Sequence, residues 1–448
     1  MIRLSASGRY TIADDMELTP ELLMEYIQAH DLEVMLKLQP LLDAYKTDYK
    51  IFNLPKKARY KPDNRIAVNF ARYIVDVFEG FFIGIPIQTN TDDEQVNDYI
   101  QYLDAYTDRA DGDAELSRLM SIFGYGYEMY YIDEYGQIGI TYLSPMAAFM
   151  IYDESILERP RYFVRIYTDS HNVRRGSVSD GELVRYFKIA PDVQFEDVDR
   201  LHGFDGVPAT EYSLNEDRIS LIAPVMSMID AYNKALSEKA NDVDYFADAY
   251  LKVLGAKVKN EDLKTIRDDR IINFAGIGGQ DIEVEFLEKP DGSDSQEQLL
   301  DRLERLIFQI SMVANISDET FGTASGQALK FKLHSMSSLA KTKSRKFTSG
   351  LNRRYKIIFS NPLSGMGADA WTKLTYKFTQ NIPSNTLEEA QTAAQLSGIV
   401  SHETQLRCLS MVEDIQAEMQ KIRDEEAEDL SGGYSLDRYS TDEADDEE

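Results

Sequence analysis

The chain has 448 residues, of which 43% are hydrophobic, enough for a substantial core and about three domains. Its formal net charge of -29 excludes an ordinary sequence-independent duplex binder, because such proteins gain affinity by releasing counterions to Lys and Arg. A single cysteine, Cys408, excludes a disulfide framework within the chain and a multi-cysteine zinc site, which favours a reducing, intracellular setting. No run of residues is apolar enough to predict export or a membrane span.

Residues 1–214 alternate helical and strand patterns, which predicts one α+β domain. An amphipathic helix is expected after Pro20, and a second one is expected to end at Gly124. Runs rich in Val, Ile, Tyr and Phe predict four strands: Tyr127–Ile132, Ile138–Leu143, Arg161–Tyr167 and Glu182–Ile189. The first two of these flank a short polar loop and predict a hairpin.

Near-heptad apolar spacing predicts two long helices, one within residues 215–250 and one within 295–316. The interval 251–294 has strand-forming residues and predicts a small mixed module at the tip of an antiparallel helix pair. The apolar stripes predict packing at these positions: Val225, Ile229, Tyr232, Leu299, Leu303, Leu306 and Ile310. Periodicity alone favours packing within one chain and leaves contact between subunits open.

The segment between Glu319 and Asp369 contains nine Lys and Arg residues and no carboxylate. Its apolar residues recur at helical spacing, which predicts a long helix opening near Ser325. At roughly 100° per residue, Lys330, Lys341 and Arg345 share one narrow sector beside the apolar stripe. An anionic partner is therefore expected: acidic surface of the same chain, acidic surface of a neighbouring copy, or nucleic-acid phosphates.

After the basic helix, Trp371–Thr379 predicts a strand, and residues 384–428 predict further helices. Residues 424–448 hold twelve carboxylates against one arginine. Such a composition buries too little apolar surface to order itself, so residues 429–448 are expected to be a disordered acidic tail.

The residues do not converge on a recognisable catalytic or metal-binding pattern. The five histidines lie in separate predicted elements, and Gly276–Gly279 lacks the Lys-Ser/Thr of a phosphate-binding loop. Asp242, Asp244 and Asp248 have the spacing of a solvated helix face. The sequence therefore predicts neither enzymatic activity nor a metal or other cofactor.

Four blocks together resemble the portal proteins of tailed double-stranded DNA bacteriophages, in the siphophage type. They begin at Asn64, Phe123, Ile229 and Ser325 and read NRIAVNFARYIVDVFEGFFIGIPI, FGYGYEMYYIDEYGQI, IDAYNKALSEKANDVDYFADAYLKVLG and SGQALKFKLHSMSSLAKTKSRKF. The resemblance covers about two thirds of the chain and leaves roughly the first 60 residues and the acidic tail unmatched.

The resemblance implies a mainly helical α+β portal fold that assembles as a twelvefold ring. Its wing would be residues 1–214, its stem the helices within 215–250 and 295–316, its clip 251–294 and its crown 384–428. Residues 317–383 would supply the tunnel loop, the long basic helix and a strand that returns to the wing. The tunnel-loop residues that would meet DNA are Asp318, Glu319, Thr323 and Ser325.

The resemblance also implies a location and partners. The ring would occupy the unique capsid vertex of the virion after assembly in the host bacterial cytoplasm, and double-stranded DNA would pass through it. A terminase large subunit would supply the force, and the other partners would be a head-completion (adaptor) protein, scaffolding protein and major capsid protein. Lys330, Lys341 and Arg345 would face a neighbouring subunit or DNA, and pairing between subunits is favoured because each copy is so acidic.

Two other functions fit parts of the sequence. A non-enzymatic helical scaffold or adaptor that never contacts DNA would stay monomeric or form a small coiled-coil oligomer. A nucleic-acid enzyme with a carboxylate-bound metal would turn over DNA only with a divalent cation. A portal protein would form large closed rings with a central hole.

Overall fold

A computed structural model describes residues 3–57, 62–246, 251–254, 283–286, 293–316, 331–382, 386–409, 411–412 and 415–432. The chain divides into two compact units. The first comprises Met1–Asn315 and Ser335–Gln380, and the second comprises Ile316–His334 and Asn381–Glu448. Helices and sheets are mixed, as expected for an α+β protein.

The helices of the described residues are numbered in chain order. They are α1 (Pro20–Glu33), α2 (Gln39–Tyr45), α3 (Phe70–Phe82), α4 (Glu94–Tyr106), α5 (Arg109–Phe123), α6 (Met226–Phe246), α7 (Ser293–Ser311), α8 (His334–Ser360), α9 (Thr386–Gln395), α10 (His402–Leu406) and α11 (Ile415–Gly432). A π-helical turn, Val34–Leu38, joins α1 to α2. Short 3₁₀ turns occupy Lys50–Asn53, Ala223–Val225, Pro362–Ser364 and Ala370–Lys373.

The strands form one large sheet and three small ones. They are β1 (Arg3–Leu4), β2 (Tyr10–Ile12), β3 (Gln88–Asn90), β4 (Tyr125–Ile132), β5 (Ile138–Leu143), β6 (Ala148–Asp153), β7 (Pro160–Thr168), β8 (Arg174–Ser179), β9 (Leu183–Ile189), β10 (Val193–Phe195), β11 (Arg200–Leu201), β12 (Ala209–Ser213), β13 (Leu251–Leu254), β14 (Glu283–Phe286) and β15 (Thr375–Lys377). The eight-stranded sheet has the order β1-β2-β6-β7-β8-β9-β10, and β11 also pairs with β9. The smaller sheets are β12-β4-β5, β13-β14 and β15-β3.

The predicted hairpin is confirmed as β4 and β5, and local chemistry explains its loop. The Asp133 carboxylate accepts hydrogen bonds from the backbone N–H groups of Tyr135 and Gln137, both at 2.9 Å. Gly136 supplies the left-handed backbone conformation that the turn needs, with φ of 73°. The strands predicted at 161–167 and 182–189 are also confirmed, as β7 and β9.

Gly124 ends helix α5, as the sequence predicted, and two features of the position require glycine. Its φ is 90°, in the left-handed region. A Cβ atom there would lie 2.1 Å from the carbonyl oxygen of Arg218. The helix can therefore turn directly into β4 and pack beside the loop that carries Arg218.

Several predicted boundaries differ from the structure. The strand expected at Trp371–Thr379 is shorter, because a 3₁₀ turn occupies 370–373 and leaves only β15. The second long helix ends at Ser311, since Met312 adopts a positive φ of 60°. Helix α11 continues to Gly432, four residues into the tail expected to be disordered, and residues 433–448 lie outside the described ones.

A polar ladder that the sequence reading missed fastens an extended segment along α6. Asn233, Ser237 and Asn241 accept hydrogen bonds from alternate backbone N–H groups of residues 64–68, at 2.8, 2.9 and 2.6 Å. Four helical residues advance about 6 Å and two extended residues about 6.6 Å, so the two repeats stay in register. The segment leads into α3, whose N-cap is Asn69.

Candidate functional site: the basic helix and its ion pairs

Helix α8 carries the predicted basic face and is also a core helix. Its apolar stripe is buried: Met336, Ala340, Phe347, Leu351, Tyr355 and Ile358. The stripe packs in the first unit, where Tyr355, Ile358 and Phe359 join a cluster with the inner face of α4. Two of the helix's cations, Lys343 and Arg354, are buried with this stripe at 0% and 1% exposure.

Lys343 ties α8 to α3 and α5. Its Nζ lies 2.6 Å from Glu79 Oε1 and donates to the backbone oxygen of Ser117 and to Ser121 Oγ, each at 3.0 Å. The rings of Phe78 and Phe82 lie 5.2 and 4.9 Å from the same ammonium. Burial lowers the pKa of Lys343, and the charge of Glu79 opposes that shift.

Arg354 ties α8 to α5 and β4 through a second cluster. Its guanidinium donates to both oxygens of Glu128 at 2.8 Å, in a bidentate pair, and also pairs with Asp113. Arg109 donates to Asp113 at 3.0 Å and lies 3.4 Å from Glu128, so two guanidinium groups face two carboxylates. Tyr212 completes the cluster by donating its hydroxyl to Glu128 at 3.0 Å.

Gly350 allows this close approach of α8 to the small sheet. A Cβ atom at Gly350 would lie 2.2 Å from a ring carbon of Tyr212. Because Tyr212 is completely buried and its hydroxyl is held by Glu128, the ring has little room to move. The helix therefore needs glycine at the turn that precedes Arg354.

Two further cations of α8 have partners in the same chain. Lys346 pairs with Glu216, which also accepts a hydrogen bond from Arg9 at 3.2 Å. Arg353 donates to the backbone oxygens of Ala209 and Val207, at 3.3 and 3.2 Å. The preference for pairing between subunits is therefore wrong for Lys343, Lys346 and Arg354, whose acidic partners lie in their own chain.

The outward face of α8 keeps a row of cations. Lys341, Arg345 and Lys356 are exposed, and they fall within about 60° of one another around the helix axis. None of the three forms an ion pair with another of the described residues. This row is the part of the predicted basic surface that remains open to a partner.

The long-helix positions fall into two groups. Val225 and Ile229 are completely buried, and Tyr232, Leu303 and Leu306 are half-buried. Leu299 and Ile310 are 48% and 47% exposed, whereas the buried residues on α7 are Leu300 and Ile307, at 5% and 0%. The face that α7 buries within the chain is thus turned by about one residue from the predicted one, and Leu299 and Ile310 remain available to another surface.

The predicted tunnel loop and the start of the basic segment cannot be placed. Asp318, Glu319, Thr323, Ser325 and Lys330 all lie outside the described residues. Within the described parts of the chain, no three potential metal ligands come together. The described helices include none with the length and apolar character needed to cross a bilayer.

Asp104 is the one member of the Arg354 neighbourhood that is poorly compensated. Its Oδ1 is buried without a hydrogen-bond partner among the described residues. Burial raises the pKa of Asp104 to about 6, against an opposing effect of Arg354 and with a further contribution from Asp113. Ionised Asp104 at neutral pH therefore costs stability.

We expect Asp104→Asn to stabilise the protein by about 1 to 2 kcal/mol at pH 7.5 and to have little effect at pH 4. The folded-state pKa lies above the unfolded one, so the favourable contribution of protonated Asp104 exists at low pH and is lost as pH rises through about 6. Urea unfolding at both pH values measures the difference. Asp98→Asn, on the exposed face of the same helix, is the control, and an equal gain at both pH values would contradict the explanation.

Comparison with known proteins agrees with the sequence resemblance and identifies the class of the chain. Residues 24–432 match the family described as Phage portal protein, SPP1 Gp6-like. The match begins about 40 residues before the first recognisable sequence block and covers most of the chain. It defines a phage portal protein, and the chain belongs to this SPP1 Gp6-like family.

A curated relative and two solved structures are similar to the chain. The portal protein of Clostridium phage phiCD119 is 24% identical over 429 residues, covering 86% of this chain and 89% of the relative. A structure titled Virion of native gene transfer agent (GTA) particle is 12% identical, with a TM-score of 0.47, covering 81% of this chain and 90% of that one. Another, titled Neck of empty GTA particle computed with C6 symmetry, is 11% identical, with a TM-score of 0.46 and coverages of 75% and 88%.

Proposed function

We propose that copies of this portal protein close into a ring, twelvefold in the capsid, whose channel is the path of double-stranded DNA during packaging and ejection. The protein itself acts as a passive guide and docking platform and carries out no catalysis. Its position is the unique capsid vertex of the virion, and it assembles in the host cytoplasm. Membership of the portal family supports this proposal.

The observation that carries the proposal within the structure is the unpaired row of Lys341, Arg345 and Lys356. The chain uses Lys343, Lys346 and Arg354 to hold its own fold, yet leaves this row exposed although its overall charge is strongly negative. A neighbouring acidic copy or DNA would neutralise the row. The exposed Leu299 and Ile310 offer a second surface for a neighbouring stem.

Partners follow from the same proposal. A terminase large subunit docked at the clip, residues 251–294, supplies the packaging force, and a head-completion (adaptor) protein binds once packaging ends. Scaffolding and major capsid proteins contact the ring during assembly. Tunnel-loop residues Asp318, Glu319, Thr323 and Ser325 touch DNA weakly, so that the polyanion can slide.

Imaging of the purified protein tests the ring directly. We expect closed rings with a central hole in negative-stain images and one high-mass species in native mass spectrometry. Compact monomers or a small coiled-coil oligomer would instead favour a helical scaffold that does not contact DNA.

Charge reversal tests which partner the exposed row meets. Lys341→Glu combined with Arg345→Glu should reduce ring assembly, most strongly at low salt, if these residues pair with a neighbouring copy. Ring yield by native mass spectrometry measures the effect, with Lys373→Glu as a control at an exposed cation outside the helix. Normal ring yield with altered DNA retention in filled particles would assign the row to the channel instead.

A further inference from the structure

The eight-stranded sheet ends in two edges that face opposite ways. Within the described residues, β1 forms one edge, and β10 and β11 together form the other, since both pair with β9. Six strand spacings separate the edges, or about 29 Å. Surfaces placed on opposite sides of a subunit suit head-to-tail contact between identical copies.

A cavity of about 580 Å³ opens beside the β1 edge. Its apolar lining comes from Met150, Pro160 and the turn between β6 and β7. That turn holds Ile156 and Leu157, which are 100% and 65% exposed. Two adjacent aliphatic side chains at this exposure, on the rim of a cavity, form a surface suited to a protein partner.

The cavity also holds a guanidinium that lacks a carboxylate partner. Arg353 is largely buried, yet its hydrogen bonds go only to two backbone oxygens, and it forms no ion pair among the described residues. Burial lowers the pKa of Arg353, which reflects this lack of compensation. Buried charges in proteins are normally paired, so Arg353 is a position where an incoming carboxylate gains most.

The carboxylates in the cavity wall are mostly neutralised and so do not repel such a partner strongly. Arg9 lies 3.0 Å from Glu158, and Arg218 pairs with Glu211. Glu216 pairs with both Arg9 and Lys346. Only the exposed Asp217 lacks an ion pair among the described residues lining the cavity.

The opposite edge presents the complementary chemistry in one short loop between β10 and β11. Asp197 and Asp199 are exposed and form no ion pair among the described residues, and Val198 between them is 62% exposed. Leu201, at the end of the loop, is 78% exposed. An acid–aliphatic–acid tip therefore projects from the edge that lies farthest from the cavity.

We propose that the Asp197–Leu201 loop of one copy docks in the cavity beside β1 of the next copy. Val198 packs on Ile156 and Leu157, and a carboxylate of the loop pairs with the Arg353 guanidinium. This contact rests on the ring proposed above and names the surfaces that join its subunits in the wing. Because β1 and β11 have only two residues each, side chains carry the contact and backbone pairing adds little.

Two single substitutions and their combination test the contact on the full-length protein. Ile156→Asp places an acid opposite Asp197 and Asp199, and Val198→Arg places a cation opposite Arg353. We expect each variant alone to lose at least about tenfold in ring yield, which corresponds to about 1.4 kcal/mol. Both substituted residues are exposed, so thermal unfolding should stay close to that of the wild type.

Complementation then identifies the contact. An equimolar mixture of the two variants should recover rings of alternating protomers, because each substituted acid meets a substituted cation on the neighbouring copy. One chain with both substitutions should recover rings for the same reason. Leu363→Asp, at a leucine that is 55% exposed elsewhere in the same unit, should leave ring yield unchanged.

The outcomes separate this contact from the ring itself. Wild-type protein that never forms rings would overturn the proposed ring, and this contact with it. Wild-type rings together with unaffected single variants, or folded single variants whose mixture stays without rings, would overturn the contact alone. Recovery in the mixture supports it, because only a head-to-tail meeting of these two edges complements in this way.

Discussion

Arg354→Ala is expected to destabilise the protein by about 3 to 5 kcal/mol. Removing this guanidinium leaves Glu128, which has no exposed surface, and Asp113 with only Arg109 as a cationic partner in the cluster. A buried carboxylate that loses its partner costs far more than the pair contributed in net terms. Urea unfolding followed by circular dichroism measures the loss, which is large relative to the 5 to 15 kcal/mol typical of a whole domain.

Arg345→Ala is the matched control on the same helix. Arg345 is exposed and forms no ion pair among the described residues, so its truncation should change stability by less than about 0.5 kcal/mol. Similar losses for Arg345→Ala and Arg354→Ala would show that helix propensity, rather than the buried cluster, sets the effect. Arg354→Lys should recover little, because an ammonium cannot reproduce the bidentate pair with Glu128.

Lys343→Met is the second large effect, with an expected loss of about 3 kcal/mol. Methionine fills most of the volume of lysine, but it leaves Glu79 with hydrogen bonds only from the Ser117 and Ser121 hydroxyls. The cation–π contacts of Lys343 with Phe78 and Phe82 are lost as well. The midpoint of thermal unfolding should fall accordingly.

A double-mutant cycle with Glu79 separates charge from packing. Glu79→Gln on top of Lys343→Met should restore part of the stability, since no unpaired charge then remains. Lys341→Met, two residues away on the exposed face, should be nearly neutral. A double variant less stable than the sum of the two single losses would show that the ion pair is not the interaction at stake.

Local chemistry allowed the sequence to predict much of the wing. The β4–β5 hairpin follows from two alternating runs around a turn that Asp133 and Gly136 close by themselves. The end of α5 at Gly124 likewise depends on one residue and its immediate neighbours. The order of the eight-stranded sheet was not predicted, because it brings β2 beside β6, about 140 residues later in the chain, and no local pattern encodes that pairing.

The basic helix shows why charge alone misled the reading of the site. Lys343 and Arg354 lie in phase with Phe347 and Leu351, at helical spacings of three, four and seven, and this phase indicated burial. Each was assigned to the surface because it is charged, although a carboxylate at Glu79 or Glu128 was present to pair with it. Phase therefore predicts the burial of a lysine or arginine better than its charge does.

The phase of α7 was ambiguous for a different reason. Leu299 and Leu300 are adjacent, and so are Leu306 and Ile307, so two neighbouring faces have equal apolar periodicity. Only the position of α6 decides which of them is covered within the chain. The exposed members of each pair are those left for contact with another molecule.

The ladder between α6 and residues 64–68 has a mechanical consequence. Its three hydrogen bonds lie side by side across the helix axis, so a pull along that axis loads all of them at once instead of opening them in turn. The same segment continues into α3, which holds Lys343 of α8 through Glu79. Strain applied to the long rod thus reaches the cationic rod through a short, stiff tether rather than dissipating in a slack connection.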